Sequence, residues 1–308
     1  MTDNEYIIST SQMVRSVVDK LPLVEGRDYF FNVFIDNFKR RIDLFFPRDK
    51  FAVIVDQFML GNEVGLDEFG IKTSLISDIS EANILSEIEK NVKIEKYVNF
   101  EKNTNKVDLL RALRDSYKDC TACPLSKTRD KLVFGSRSNV FNRCDILFIG
   151  EAPGPDENIS GIPFSGRSGR LLRRELISAG ITSNYAVTNS VCCFPGRVDG
   201  KIRQPDTDEL RLCRPRLFDM LEVLRPRLVV PIGAISLLSV AEKQSITKYR
   251  GKYFYKLFRN KKRDIMLYVS MFPIFHPAYI LRNMGKLEVF RNDLKQISKI
   301  VVAPLGVG

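Results

Sequence analysis

Apolar residues follow two rhythms along this chain. Short continuous blocks run from Ile146 to Ile149 after Asp145, from Tyr185 to Val187 ahead of Thr188, and from Ile265 to Val269 after Asp264. Each is too short for a helix and ends on small or polar residues, which predicts buried strands. Between them the spacing widens. Gly169 to Ala179 places Leu171, Leu172 and Leu176 on one helical face, and helix signals resume after Pro277 with Tyr279, Ile280, Leu281 and Arg282. Strands that alternate with helices predict an α/β domain. The first hundred residues read differently. Asp28 to Phe38 and Leu75 to Ile94 have apolar spacing compatible with helices, and Phe51 to Val55 suits a short strand or a buried helical turn. Residues 97–106 form a polar stretch with linker character. The division expected is a mostly helical extension over 1–96, a linker over 97–106 and the α/β domain over 107–308.

Charge is distributed unequally over these parts. The 308 residues carry 48 Lys/Arg and 37 Asp/Glu, a formal net charge of +11. Residues 1–106 hold 14 basic and 18 acidic side chains, whereas 107–308 hold 34 and 19. A net of −4 against +15 assigns any phosphate-rich partner to the second part. The acidic extension disfavours a second grip on nucleic acid and suits a protein-docking module. Residues 1–20 mix acids, Ser and Tyr and lack the apolar core of a secretory signal. No run approaches the roughly 20 apolar residues of a membrane span. The expected setting is intracellular, cytoplasmic or nucleoid-associated, with no membrane partner.

A reducing compartment changes how the six cysteines read. Cys120 and Cys123 form a C-x2-C pair before Pro124, Cys193 follows the strand at 185–188, and Cys213 precedes Pro215. Clustered thiols there favour a metal over disulfides, and four thiolates suit zinc or an iron–sulfur cluster alike. Cys144 reads as a buried thiol. Of Cys192 and Cys193, one is expected to ligate and the other to pack.

The strand ends carry the chemistry. The first runs into Gly150-Glu151-Ala152-Pro153-Gly154, with Glu157 close behind and Pro163-Phe164-Ser165-Gly166-Arg167-Ser168-Gly169 opening the next helix. A strand, a Gly/Pro turn with an acid and a helix start build sites at the carboxyl edge of an open sheet. The strand at 185–188 ends on Asn189. The strand at 264–269 leads through Ser270 and Met271 to Phe272-Pro273-Ile274-Phe275-His276-Pro277, and His276 is the sole histidine. An acid, an amide and an imidazole thus converge on one crevice.

Together these motifs, with Phe134-Gly135 and Phe275 to Arg282, make residues 107 to 303 resemble the family 4 uracil-DNA glycosylases, the iron–sulfur branch of their superfamily. The resemblance implies a three-layer α/β/α domain around a central four-stranded parallel sheet. It implies a 4Fe-4S cluster on Cys120, Cys123, Cys193 and Cys213, with Cys192 in a place that relatives give to a basic residue. It also implies a monofunctional hydrolase that flips uracil out of DNA and cleaves its N-glycosidic bond, starting base-excision repair. Phe164 would stack on the base, Asn189 would tell uracil from cytosine, and Ala152 and Gly154 would line the uracil pocket. His276 would hydrogen-bond O2 of the departing uracil, with Glu157 assigned to the attacking water and Glu151 to positioning. Arg167, Arg170, Arg174, Tyr279 and Arg282 fall where DNA would be held. Asn158 stands where many relatives carry Asp, and Ser165 where an aliphatic residue is usual, so the accepted range of bases is open. The second reading is a DNA-binding scaffold or polymerase accessory of the same fold with weak or absent catalysis, and a glycosylase for another deaminated or modified base lies between. Neither reading requires more than a monomer.

Overall fold

Tertiary contacts divide the chain into two compact units, residues 1–104 with 257–268, and residues 105–256 with 269–308. The computed structural model describes residues 14–18, 20, 21, 30–35, 40–46, 49, 51–54, 71–75, 80–93, 106–135, 144–260 and 265–302.

The first unit is built on a sheet, which corrects the expectation of a mostly helical extension. Its strands are β1 (Phe30–Ile35), β2 (Arg40–Phe46), β3 (Phe51–Ile54) and β4 (Lys72–Leu75), hydrogen-bonded in that order. The first three are antiparallel neighbours, and β4 joins β3 in parallel. The run through Phe30, Phe31, Val33, Phe34 and Ile35 suits either element by spacing. Its aromatic and β-branched content, once paired register by register with β2, makes it a strand. The helix expected over 75–94 is shorter. Leu75 closes β4, and α1 (Glu81–Asn91) starts at Ser80, whose side chain accepts from the Asn83 N–H. Ile84 and Ile88 of α1 pack with Val14, Val17, Val18, Leu44, Phe46, Phe51 and Val53. Of the expected linker, residues 97–105 lie outside those described, and Lys106 opens α2 (Lys106–Ser116).

The predicted strands become β5 (Ile146–Gly150), β6 (Tyr185–Asn189) and, later, β11 (Ile265–Met271), the last divided after residue 268 between the two units. Two helices lie between β5 and β6, α3 (Pro155–Ser160) and α4 (Arg167–Ser178). A small ribbon of β7 (Arg197–Val198) and β8 (Lys201–Ile202) precedes α5 (Thr207–Leu224). Then come β9 (Leu228–Pro231), α6 (Ala234–Ala241), α7 (Ile246–Tyr249) and β10 (Phe254–Asn260). After β11 the chain ends in α8 (Pro277–Arg282) and α9 (Leu287–Val302).

The central sheet has five strands in the order β10-β11-β9-β5-β6, not four. Strands β11, β9, β5 and β6 run parallel. The added strand, β10, mixes Lys256 and Arg259 into its sequence, so it shows none of the continuous apolar character that marks a strand covered on both faces. Ile146, Phe148, Leu228 and Val230 face a core completed by Leu172 and Leu176 of α4 and Phe290, Leu294 and Ile297 of α9. Leu147, Ile149 and Val229 point the other way and are equally buried. Helix α5 covers that side, since its Arg216 donates to Thr188, the register partner of Ile149. Helices on both faces force the loops that follow β5, β6, β9 and β11 out at one edge of the sheet.

Candidate active-site cleft

That edge holds a cleft of about 670 Å³ lined by Glu151, Ala152, Gly154, Glu157, Phe164, Arg167, Asn189, His276, Tyr279 and Arg282, among others. Every predicted catalytic and uracil-binding residue reaches it, together with three of the predicted DNA-binding side chains. A larger cavity, about 800 Å³ beside α2, holds none of them, and its wall includes Gly135, the last residue described before Cys144.

Close approach starts at Gly150. A Cβ there would lie 2.4 Å from Asn189 Oδ1 and 2.6 Å from Phe164 Cζ, so only glycine lets the amide and the ring stand over the strand end. Asn189 is buried at the end of β6, and among the described residues its amide has no hydrogen-bond partner. An amide held at the cleft without a partner is the state in which a base edge can supply one. Phe164 has φ +55°, a left-handed conformation rarely adopted by a bulky residue. Its carbonyl accepts from Arg173 Nη1 at 3.0 Å, and a Cβ on Gly169 would fall 1.6 Å from the same oxygen. Surrounding packing therefore holds the strained backbone, and the ring stacks toward His276 with centroids 6.5 Å apart.

His276 caps α8. Its Nδ1 accepts from the Ala278 N–H at 3.1 Å, which assigns the proton of the neutral ring to Nε2. Desolvation first, and then the charge of Arg282, lowers its pKa from 6.5 to about 4. The ring is thus a neutral N–H donor at the cleft. Gly233, at φ +91°, makes room for it, since a Cβ there would stand 3.0 Å from the His276 Cβ.

The two acids have different surroundings. Glu157 Oε2 accepts from the Gly154 N–H at 3.0 Å and Oε1 from the Gly166 N–H at 2.9 Å, clamping the turn after β5 to the N-terminus of α4. Among the described residues the Glu151 carboxylate has only a long contact with Gln204 Nε2, 3.5 Å. Burial raises its pKa above the ordinary carboxylate value, opposed by Gln204 and by Arg282. Asn158 is turned into the protein, where it bonds the Asp130 backbone and side chain. Ser165 shares a hydrogen bond with Ser160.

Arg167, Arg170 and Arg282 are exposed, and Arg170 reaches back to the Ser165 carbonyl at 3.4 Å. Arg174 is exposed as well. It pairs with Glu175, whose other oxygen takes Arg291, and it does not line the cleft. Ile280 is fully buried, while Leu281 is 37% exposed.

Three of the cysteines gather in a satellite core. Cys123, Cys193 and Cys213 join one small apolar cluster around Leu125, Val191 and Leu210. Among the described residues no three metal-binding side chains stand close enough for a single ion. Burial holds the Cys123 and Cys193 thiols above their ordinary pKa, opposed at Cys193 by a nearby cation. Arg129 Nη1 donates to Cys193 Sγ at 3.2 Å. Cys213 is pulled down to about 5 by a hydrogen bond from Cys192 and by the Arg216 charge, against its burial. Cys192 is buried and pushed well up, and burial likewise carries Cys144 up to about 12. Arg216 was not legible in the sequence as part of the site. It is fully buried and donates to Thr188 Oγ1 and to the Asn189 carbonyl, at 3.0 and 2.5 Å, so it joins the cysteine cluster to the strand end that carries Asn189.

The family model described as "Uracil DNA glycosylase superfamily" matches residues 139–298. The chain is 35% identical over 195 residues to the Type-4 uracil-DNA glycosylase of Thermotoga maritima, covering 62% of this chain and 93% of that protein. It is 31% identical to the protein of the same name from Saccharolobus solfataricus and 30% identical to that from Sulfurisphaera tokodaii, covering 63% and 64% of this chain and 87% of each relative. An α/β domain with a cleft at the carboxyl edge of its sheet is the class the fold defines. Within it, the chain belongs to the uracil-DNA glycosylase superfamily.

Proposed function

We propose that this protein is a monofunctional DNA glycosylase that hydrolyses the bond between uracil and deoxyribose in DNA. The observation that carries the reading is the convergence of Asn189, Phe164, His276 and Glu151 on one cleft that also exposes Arg167 and Arg282. In this reading a flipped uracil stacks on Phe164. Asn189 donates to O4 and accepts from N3–H, a pattern that cytosine reverses and would leave unpaired.

As the glycosidic bond breaks, its electron pair stays on uracil and the sugar becomes cationic. The neutral Nε2–H of His276 meets the charge growing on O2, a contact often worth about 3 kcal/mol in a dry site. Water then adds to C1′ and its proton passes through a carboxylate or solvent to the departed uracil anion, leaving an abasic sugar and neutral free uracil. Sequence position suggests Glu157 for the water and Glu151 for positioning, whereas the hydrogen bonds favour the reverse. Both Glu157 oxygens are engaged by backbone N–H groups, whereas Glu151 retains a face toward the cleft for the water or the sugar cation.

A 4Fe-4S cluster fits the residues present. Cys120, Cys123, Cys193 and Cys213 would hold it, and Arg129 and Arg216 would offset the charge of its thiolates. When bound it would supply cross-linking of the loops rather than electrons, because hydrolysis of this bond needs none. The partner is uracil-containing DNA. The test is uracil release from a labelled single-uracil oligonucleotide by protein purified without oxygen. Release that falls at least about tenfold in both Glu151→Gln and His276→Ala supports the assignment; a cluster-loaded protein that binds this DNA and frees no uracil refutes it.

A further inference from the structure

The segment between Cys193 and α5 folds into an ordered ribbon that contributes nothing to any core. β7 and β8 pair Arg197 with Ile202 and Val198 with Lys201. The two-residue turn between them, Asp199 at φ +50° and Gly200 at φ +73°, has the primed geometry that closes a tight hairpin. So short a ribbon is not stable by itself. It is held at its root. Arg203 makes two hydrogen bonds to the Glu209 carboxylate, at 2.8 and 2.6 Å, and Thr128 Oγ1 donates to the Phe194 carbonyl at 2.6 Å.

All six residues from Arg197 to Ile202 are nevertheless exposed, Val198 by 56% and Ile202 by 47%. Residues paired across a ribbon share a face. Each face therefore carries one cation and one β-branched aliphatic side chain, Arg197 with Ile202 and Lys201 with Val198. The ribbon also adjoins the cleft, which Ile202, Arg203 and Gln204 line together with Glu151, Asn189 and His276. A strand whose nucleotide enters that cleft passes within reach of it.

We propose that the ribbon Arg197–Ile202 is a DNA-contacting element that lies along the uracil-bearing strand next to the flipped nucleotide. Arg197 and Lys201 take phosphates, and Val198 and Ile202 pack on sugars and base edges. A nucleic-acid strand offers that alternation of anionic and apolar groups, and the net charge of +15 over residues 107–308 matches it. The proposal rests on the reading of the cleft as the entry point of a flipped nucleotide.

The experiment measures equilibrium binding of the full-length protein to single-stranded oligonucleotides, one with a non-cleavable uracil analogue and one without uracil, over a range of salt. The variants are Lys201→Gln, the double variant Arg197→Gln/Lys201→Gln, and Val198→Ser. Lys295→Gln, on the exposed face of α9, serves as the charge control. The double variant is expected to bind both oligonucleotides more weakly, with a log–log salt slope shallower by about 1.4, and the single variant by about half of that. Val198→Ser is expected to lose affinity with no change in slope. Parent-like affinity and slope in the double variant overturn the proposal, as does an equal loss in Lys295→Gln. Because the uracil-free oligonucleotide reports the phosphate contacts directly, failure of the parent to release uracil is read separately from failure of the ribbon.

Discussion

Gly150 and His276 decide the chemistry by what they exclude. Gly150→Ala would drive a methyl group into the Asn189 amide and the Phe164 ring, both closer than 3 Å to its Cβ. The expected result is a fall in kcat/KM of at least about a hundredfold, some 2.7 kcal/mol of transition-state stabilisation, with KM and kcat resolved by steady-state release assays. His276 titrates at about 4, so activity should stay level as pH passes 6.5, where an ordinary imidazole changes charge. Burial holds the Glu151 pKa above its usual value, and the ionised form is the one proposed to work, so an acid limb belongs to Glu151. In Glu151→Gln that limb should vanish from the kcat/KM profile along with most of the rate. The same imidazole shift has a stability consequence. Between about 4 and 6.5 the unfolded chain binds a proton at His276 that the folded protein refuses, so its contribution is present above 6.5 and is lost as pH falls through about 4. Comparing Tm against pH for the parent and His276→Ala should show the steeper acid decline in the parent.

At the level of elements, Glu157 joins two loops that the sequence spaces nine residues apart. Its carboxylate accepts from Gly154, the N-cap of α3, and reaches across to Gly166, the N-cap of α4. Removing it leaves two backbone N–H groups short of a partner, at about 1–3 kcal/mol each where water cannot replace it. Glu157→Ala should therefore lower Tm by several degrees as well as slow release, and Glu157→Gln, which keeps one acceptor, should recover part of the stability. A variant that lost the rate but kept the parent's Tm would return Glu157 to the role of activating water. The strand–loop–helix units that carry these residues were legible from short apolar blocks ending on Gly, Asn and Pro. The ion pairing of Arg174 was not, because helical spacing gives a side chain's neighbours along the helix but not the Arg291 that shares Glu175 with it.

Over the whole molecule, charge and thiols set the behaviour. With +15 confined to residues 107–308, KM for DNA should rise at least about tenfold between roughly 50 and 200 mM salt. With the proposed cluster bound, Cys213→Ser should abolish the visible absorbance that the cluster would give and lower Tm, because the four proposed ligands come from segments as far apart as Cys120 and Cys213. The sequence by itself determined the α/β class, the three strand ends that converge and the acid, amide, aromatic and imidazole they carry. These are local facts, since a buried parallel strand writes its burial into consecutive residues and the loop after it must leave at one edge. Tertiary structure alone decided the rest. Phe30 to Ile35 became a strand because β2 was there to pair with it, and β10 extended the central sheet without an apolar run to announce it. Glu157 became a clamp and Arg216 a buried brace because their partners, Gly166, Thr188 and Asn189, come to them through the fold. Hydrogen bonds between segments distant along the chain leave no period in the sequence, and they fix which of the available side chains is free to act.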